Sequence, residues 1–318
     1  MSFGKCMRRF VAAGAGLGAL AVSAGASANP WPWEINMPKG VTPISHQVWD
    51  LHMAAFYVCV ALGIIVFGAL FLSIIKFRRS KGAVAETSWK HNTKVEIAWT
   101  IVPVLILIGL AAPATLLTRE IYNTTDPQLT VKVTGYQWLW RYDYISYEGK
   151  SVTKVPTIWS RLAWNSNAAR QLDSGISPYS IVSKAAWVGD YEVSKGGYHD
   201  YLFNTTHPLV LPTGIKIRFL ITSDDVIHGW GVPDLAIKKA AIPGIMNDAW
   251  AKIEKPGVYY GQCYVLCGQD HSAMPVEIEA VPQAVFNAWL AQQENRSAAS
   301  EAGRTAQAAV PKSTPGEG

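Results

Sequence analysis

Two long stretches without charge limit what this chain can become. Residues 53–75 hold no charged side chain over 23 positions, and residues 97–117 hold none over 21. A helix of about 20 apolar residues crosses the hydrocarbon core of a bilayer. Lipid offers the backbone no hydrogen-bond partners, so both stretches are predicted to be helical. The competing reading is a buried helix of a globular protein, and two such runs close together weigh against it. Pro103 and Pro113 in the second run are tolerable in a membrane helix and are places where it can kink. Overall composition agrees, at 49% hydrophobic and 16% charged residues.

The loop between the runs sets their orientation. It carries Lys76, Arg78, Arg79, Lys81, Lys90 and Lys94, opposed only by Glu86 before Glu96 is reached. Short loops rich in Lys and Arg stay in the cytoplasm. Both outer ends of the hairpin are therefore expected on the other side. The N-terminus requires the same orientation. Lys5, Arg8 and Arg9 precede an apolar run that ends in Ala26-Ser27-Ala28, the pattern of a cleaved signal peptide over residues 1–28. The expected order is that signal, a periplasmic segment at 29–50, the hairpin with its cytoplasmic loop at 51–118, a periplasmic domain at 119–293 and a disordered tail at 294–318. The net charge of +5 is small and much of the positive charge lies in this one loop, so nucleic acid is not an expected partner.

Within 119–293, alternating or β-branched runs bounded by turn residues predict strands at 129–134, 138–144, 209–211, 215–222, 257–264 and 276–281. Many short strands with little helix point to an antiparallel sandwich or barrel. Residues 281–293 read as a closing amphipathic helix. Residues 156–200, rich in Ser, Asn and Gly, read as long loops or an insertion. There is no internal repeat.

The chemistry concentrates in Gly261-Gln262-Cys263-Tyr264-Val265-Leu266-Cys267-Gly268-Gln269-Asp270-His271-Ser272-Ala273-Met274-Pro275. Of four cysteines, Cys6 falls in the signal and Cys59 in the membrane, which leaves Cys263 and Cys267. An oxidising compartment would allow them a disulfide. A disulfide explains neither His271 nor Met274. Cys, His and Met are the soft and borderline ligands that suit copper. A mononuclear blue-copper site would need one Cys, so the second is in excess. Two thiolates on one loop can bridge two copper ions, each of which then needs an imidazole. The second histidine must come from His46, His52, His91, His199, His207 or His228. His228 is favoured, because it follows a strong strand at the end where a sandwich would present a ligand.

At this point the residues resemble those of subunit II of haem–copper oxidases, which carries a copper A centre. The resemblance covers nearly all of the mature chain. It rests on His91-Asn92-Thr93 with Glu96-Ile97-Ala98-Trp99-Thr100 and Pro103 at the second helix, and on Gly135-Tyr136-Gln137-Trp138-Leu139-Trp140-Arg141-Tyr142 in an aromatic strand. Leu211-Pro212-Thr213, Asp225-Val226-Ile227-His228, Ile242-Pro243-Gly244 and the CxxxCxxxHxxM run follow in the family's order. The resemblance implies a two-helix membrane hairpin followed by an all-β, cupredoxin-like sandwich or barrel. It implies that Cys263 and Cys267 bridge two coppers. His228 with Met274 would complete one, and His271 with the backbone carbonyl of Val265 the other. Trp138 matches the tryptophan through which electrons enter. Glu96 matches a carboxylate at the mouth of a proton path in subunit I. The implied work is that of cytochrome c oxidase in a bacterial inner membrane. Electrons from periplasmic cytochrome c would pass to subunit I, where haem resides and oxygen is reduced to water with proton pumping. Subunit I, subunit III and membrane lipid are the implied neighbours.

Some positions depart from the family pattern. Tyr264-Val265 stand where Ser-Glu is usual, and Ala240 and Ile245 replace an Asp and an Arg. Those residues belong to a magnesium site at the subunit I interface, so an intact copper site beside a weakened or remodelled magnesium site is expected. From residue 120 to 294 there are 17 Asp and Glu against 14 Lys and Arg, too balanced to steer a strongly basic donor by net charge. A less basic cytochrome c, or an acidic patch around Asp224 and Asp225, would reconcile this. Two other functions fit parts of the pattern. A quinol oxidase subunit II would lack the copper ligands. A membrane-tethered cupredoxin acting as an electron shuttle or copper carrier would not need the motif around Glu96 and Trp99. A fused c-type haem is excluded because no CxxCH occurs.

Overall fold

The computed structural model describes residues 36–84, 91–171, 174–177, 180–181, 186–193 and 200–308. The expected signal peptide with Cys6, Glu86 and Lys90 of the loop, and the candidate His199 lie outside the described residues. Two long helices come first, α1 (Pro43–Lys76) and α2 (Thr93–Ile121). They pack side by side and leave nearly all of their apolar surface uncovered, which suits lipid rather than a protein core. Both extend beyond the uncharged runs because polar residues cap them. The Thr42 side chain accepts from the Ser45 N–H while the Ser45 hydroxyl accepts from the Thr42 N–H, a reciprocal cap. The Asn92 side chain accepts from the N–H groups of Lys94 and Val95. Pro103 and Pro113 lie inside α2, which runs on through both.

The hairpin is seated on the domain that follows. Val41 N–H donates to Asp234 O and Glu254 N–H to Val41 O, both at 2.9 Å. Trp250 Nε1–H donates to Glu120 O at 3.1 Å. Thr42 and Ile44 are buried in this junction.

The domain is a two-sheet β-sandwich. Its strands are β1 (Leu129–Tyr136), β2 (Leu139–Tyr147), β3 (Lys150–Ser151), β4 (Ile158–Ser160), β5 (Ala186–Val188), β6 (Tyr191–Val193), β7 (Leu209–Pro212), β8 (Ile217–Ser223), β9 (His228–Val232), β10 (Ile237–Ala241), β11 (Asn247–Ala251), β12 (Gly257–Cys263) and β13 (Pro275–Val281). One sheet has the order β11-β8-β1-β2-β3, with β4 also on β2, and the other β10-β9-β12-β13-β7. The inward faces are close to continuous Val, Ile, Leu and aromatic burial. Phe219 of β8 meets Trp230 of β9 across the sandwich, with ring centroids 4.9 Å apart. Each such side chain contributes roughly 1.5–3 kcal/mol by leaving water.

Three expectations change. The sandwich is mixed rather than purely antiparallel, since β1 pairs with β8 and β13 with β7 in parallel. The insertion is partly ordered: β4, a short helix α3 (Trp164–Ala169) and the β5–β6 hairpin fall within it. The tail expected to be disordered from 294 continues instead as helix, because α4 runs Gln283–Ala308. Low hydrophobicity there argued correctly against a core. It did not argue against a helix, since Ala, Glu, Gln and Arg all favour one. The start of α4 closes the sandwich, with Phe286 fully buried against Tyr144.

Candidate metal centre

Three chain segments meet at one end of the sandwich. His228 begins β9, Cys263 ends β12, and the loop from 264 to 274 leads into β13. One ligand atom from each of His228, Cys263 and Cys267 lies within 4.8 Å of the others. The two sulfurs are 3.8 Å apart and both cysteines are free and buried. Cys263 Sγ lies 4.0 Å from His228 Nδ1 and 3.3 Å from the Val265 carbonyl. Cys267 Sγ lies 3.6 Å from His271 Nδ1. Met274 is buried, and its carbonyl accepts from the Cys263 N–H at 3.1 Å. Five of the six groups singled out from the sequence thus gather at one place, and the backbone of the sixth, Met274, lies beside Cys263.

The strand arrangement explains how they reach it. β9 reads His-Gly-Trp-Gly-Val, a poor strand by propensity. Its glycines make room for the loop. A Cβ on Gly231 would lie 2.3 Å from the Tyr264 ring, and one on Gly229 would lie 3.0 Å from Val265 Cγ2. Tyr264 N–H then donates to Gly229 O at 2.9 Å. Gly135 of β1 serves the histidine in the same way, since a Cβ there would meet the His228 ring at 2.8 Å.

Around the ligands is a layer of partners that sequence reasoning did not identify. His228 Nε2 lies 2.8 Å from Asp225 Oδ1. With the Nε2–H donated to that carboxylate, Nδ1 presents its lone pair toward Cys263. Asp225 Oδ2 accepts from the Gln137 N–H at 2.6 Å, and Gln137 Nε2 donates to Cys267 O at 2.8 Å. One carboxylate and one amide therefore tie both ligand segments to the β1–β2 turn. The available signal was an Asp three residues before the candidate His.

Trp138 sits in that turn. A Cβ on Gly268 would lie 3.1 Å from the Trp138 ring, and Gly268 has φ +126°, so glycine both admits the ring and permits the turn after Cys267. Of the other candidate histidines, three described ones have contacts away from this site. His46 Nε2 contacts Gly40 O, His52 contacts Asn36, and His207 contacts Trp159 O. Glu96 accepts from the Asn92 N–H at 3.2 Å, which gives it a capping role at the start of α2. Asp224 is bound to Tyr136 and faces Arg141 at 3.7 Å, so half of the supposed acidic patch is already neutralised. Val265 lies on Gly229 and Ala240 stands in β10, so neither position offers a carboxylate where magnesium was in question.

The electrostatics are those of a cation site. Burial opposes charge on Cys263. Hydrogen bonding to His228, to the backbone of Gly229 and Val265 and to His271 outweighs it and holds the thiol at about 6. Burial and then the neighbouring Cys263 charge push Cys267 up to about 12. Burial would lower the basicity of His228, but Cys263 and Asp225 more than offset it and its pKa is raised. The pair thus holds one negative charge readily, and a bound cation is what releases the second proton. Two sulfurs, two imidazoles, a thioether and a carbonyl suit copper better than magnesium or calcium, which prefer oxygen.

Comparison with known proteins agrees along the chain. A family profile described as cytochrome C oxidase subunit II, periplasmic domain, matches residues 129–281. A second, the transmembrane domain of the same subunit, matches residues 30–117. A probable cytochrome c oxidase subunit 2 of Rickettsia prowazekii is 32% identical over 258 residues, covering 81% of this chain and 72% of the relative. Cytochrome c oxidase subunit 2 of Kluyveromyces lactis is 33% identical over 253 residues, covering 79% and 90%. A crystal structure of the periplasmic domain of subunit II of cytochrome oxidase of Bradyrhizobium japonicum aligns with 54% of this chain and 98% of its own, at 28% identity and a TM-score of 0.40. With the membrane hairpin and the β-domain matched in the same order, the chain belongs to the cytochrome c oxidase subunit II family, a subunit of haem–copper oxidase complexes.

Proposed function

We propose that this subunit accepts electrons from periplasmic cytochrome c at a dinuclear copper A centre and passes them to subunit I. Oxygen is reduced to water there, coupled to proton pumping. The observation that carries this reading is the convergence of Cys263, Cys267, His228, His271 and the Val265 carbonyl at one sandwich end, with the buried Met274 bonded through its backbone to Cys263. Copper held here would supply reversible one-electron exchange. Cys263, Cys267, His228, His271, Met274 and the Val265 carbonyl are the residues that would hold it. The strands β9 and β12 fix His228 and Cys263 on a rigid frame, so the ligands need little rearrangement when charge changes. Asp225 fixes the His228 tautomer, and Gln137 holds the Cys267 carbonyl. Trp138 covers the loop beside Gly268 and is the side chain through which a donor's electron would enter. Glu96, on the cytoplasmic end of α2, is assigned the mouth of the proton path in subunit I. The membrane is a bacterial inner membrane, with the sandwich in the periplasm and the Lys/Arg-rich loop inside.

The test is the purified full-length chain in detergent, reduced, loaded with copper and examined by EPR. Two coppers per chain and a spectrum of one electron shared over two nuclei are expected. A four-line mononuclear spectrum, or fewer than two coppers per chain, overturns the reading.

A narrower expectation concerns Asp225→Asn. An amide keeps the shape but no longer enforces which histidine nitrogen carries the proton. Loss of such a partner costs about 10–100-fold in metal affinity. Chelator competition should show that drop with two-copper stoichiometry retained. Unchanged affinity would mean that strand packing alone orients His228.

A further inference from the structure

We propose that Arg170, in the insertion, is a positioning residue that braces the second half of the copper loop through Asp270. The inference rests on the copper reading above. Arg170 caps the C-terminal end of α3. Its Nη1 donates to Asp270 Oδ1 at 2.9 Å and its Nη2 to Asp270 Oδ2 at 3.2 Å, a two-point contact. Its Nε donates to Asn167 Oδ1 at 2.8 Å, which sets the guanidinium plane. Asp270 immediately precedes His271, and its carbonyl accepts from the Ala273 N–H at 2.9 Å.

The two halves of the loop are held differently. The first half is tied down by Tyr264 N–H on Gly229 O and by Gln137 on Cys267 O. The second half starts at Gly268, in a left-handed conformation, and passes the exposed Gln269 before it reaches His271. Its described backbone bonds there are local turns, from His271 N–H to Gly268 O and from Ala273 N–H to Asp270 O. The next backbone tie to the sandwich is at Met274, whose carbonyl accepts from the Cys263 N–H, so a lateral tie at Asp270 itself comes from a side chain, and Arg170 supplies one.

The brace has a firm footing. Ala163 N–H donates to Asn204 O, and Ser166 Oγ to Asn204 Oδ1 at 2.6 Å. The segment that carries Asn204 is itself fixed to the sandwich. Thr205 N–H donates to Glu277 of β13 at 2.7 Å, and Tyr260 of β12 donates to Asp200 at 2.9 Å. The insertion therefore joins the strands on either side of the loop to the residue next to a ligand. The fork geometry of the guanidinium matches a carboxylate in a way that an ammonium cannot.

Exposed ion pairs contribute little to folding, and this pair is about a quarter exposed, at 27% and 28%. The brace is therefore expected to affect metal retention much more than stability. Full-length protein in detergent, loaded with copper, would be compared as wild type, Arg170→Ala, Arg170→Lys, Asp270→Asn and the double variant Arg170→Ala with Asp270→Asn. Each single loss should speed copper release to a chelator about 10-fold and broaden the EPR lines. The double variant should be no worse than either single one, Arg170→Lys should recover part of the loss, and the metal-free melting temperature should stay near wild type. Copper retention equal to wild type, additive losses, or a variant that fails to fold would each overturn the brace. A wild-type chain that takes up no copper would instead overturn the copper reading on which it stands.

Discussion

Replacing Cys263 by serine is expected to abolish the shared-electron EPR signal and to leave at most one copper per chain. The expected loss exceeds that of any other single side chain at the site, because Cys263 has the most contacts within it. Its sulfur faces Cys267, His228 and the Val265 carbonyl, and its own N–H is bonded to Met274 O. It is also the thiol held at about 6, so it is the sulfur already charged at neutral pH before any metal binds. A serine hydroxyl keeps the size and loses both the softness and the charge. The affinity loss should exceed the roughly 10–100-fold that removal of an outer partner costs. Electron transfer from a reduced donor should fall with it. Serine is small enough to leave the sandwich folded, which circular dichroism can check. A variant that still bound two coppers with an undivided signal would show that Cys267 alone can bridge.

Much of this site was legible in the sequence, for a physical reason. The cysteines, His271 and Met274 lie within twelve consecutive positions, so no long-range folding was needed to see them together. His228 could be chosen because a strand end is where a sandwich exposes a ligand, and β8 was a strong strand pattern. The membrane hairpin was legible because apolar length and flanking charge are local properties. What escaped depended on contacts between distant segments. β9 was missed because Gly229 and Gly231 lower its propensity, and they stand there only to let Tyr264 and Val265 approach. The parallel pairing of β1 with β8 joins segments separated by the insertion, and the first of them alone says nothing of direction. Asp225, Gln137 and Arg170 are ordinary polar residues in sequence. Their roles appear only when distances to the ligand loop are known. The helical run to Ala308 was misjudged because composition was read for burial and not for propensity.

The frame beneath the ligands is as demanding as the ligands themselves, and Gly261→Ala should show it. Gly261 lies in β12, two residues before Cys263. A Cβ there would lie 2.0 Å from the Gly231 backbone oxygen and 2.9 Å from Val232 Cγ2. No rotamer relieves a clash with backbone, so β9 and β12 must move apart. That separates the pairs Gln262 with Gly231 and Cys263 with Trp230, which set the distance between His228 and Cys263. Alanine would recover about 0.4–1 kcal/mol through lower entropy of the unfolded chain. Overpacking of a fixed core commonly costs about 1–3 kcal/mol, and a backbone contact belongs at the top of that range. A net loss of about 2 kcal/mol corresponds to a fall of roughly 4–8 °C in melting temperature for a domain of this size. The same shift should loosen copper binding, because the two strands carry one ligand each. Thermal unfolding of the full-length metal-free chain in detergent, with chelator competition on the loaded protein, measures both. Melting within a degree of wild type would mean that β9 can yield without cost. The close backbone contact would then be a convenience of packing and not the element that holds His228 against Cys263.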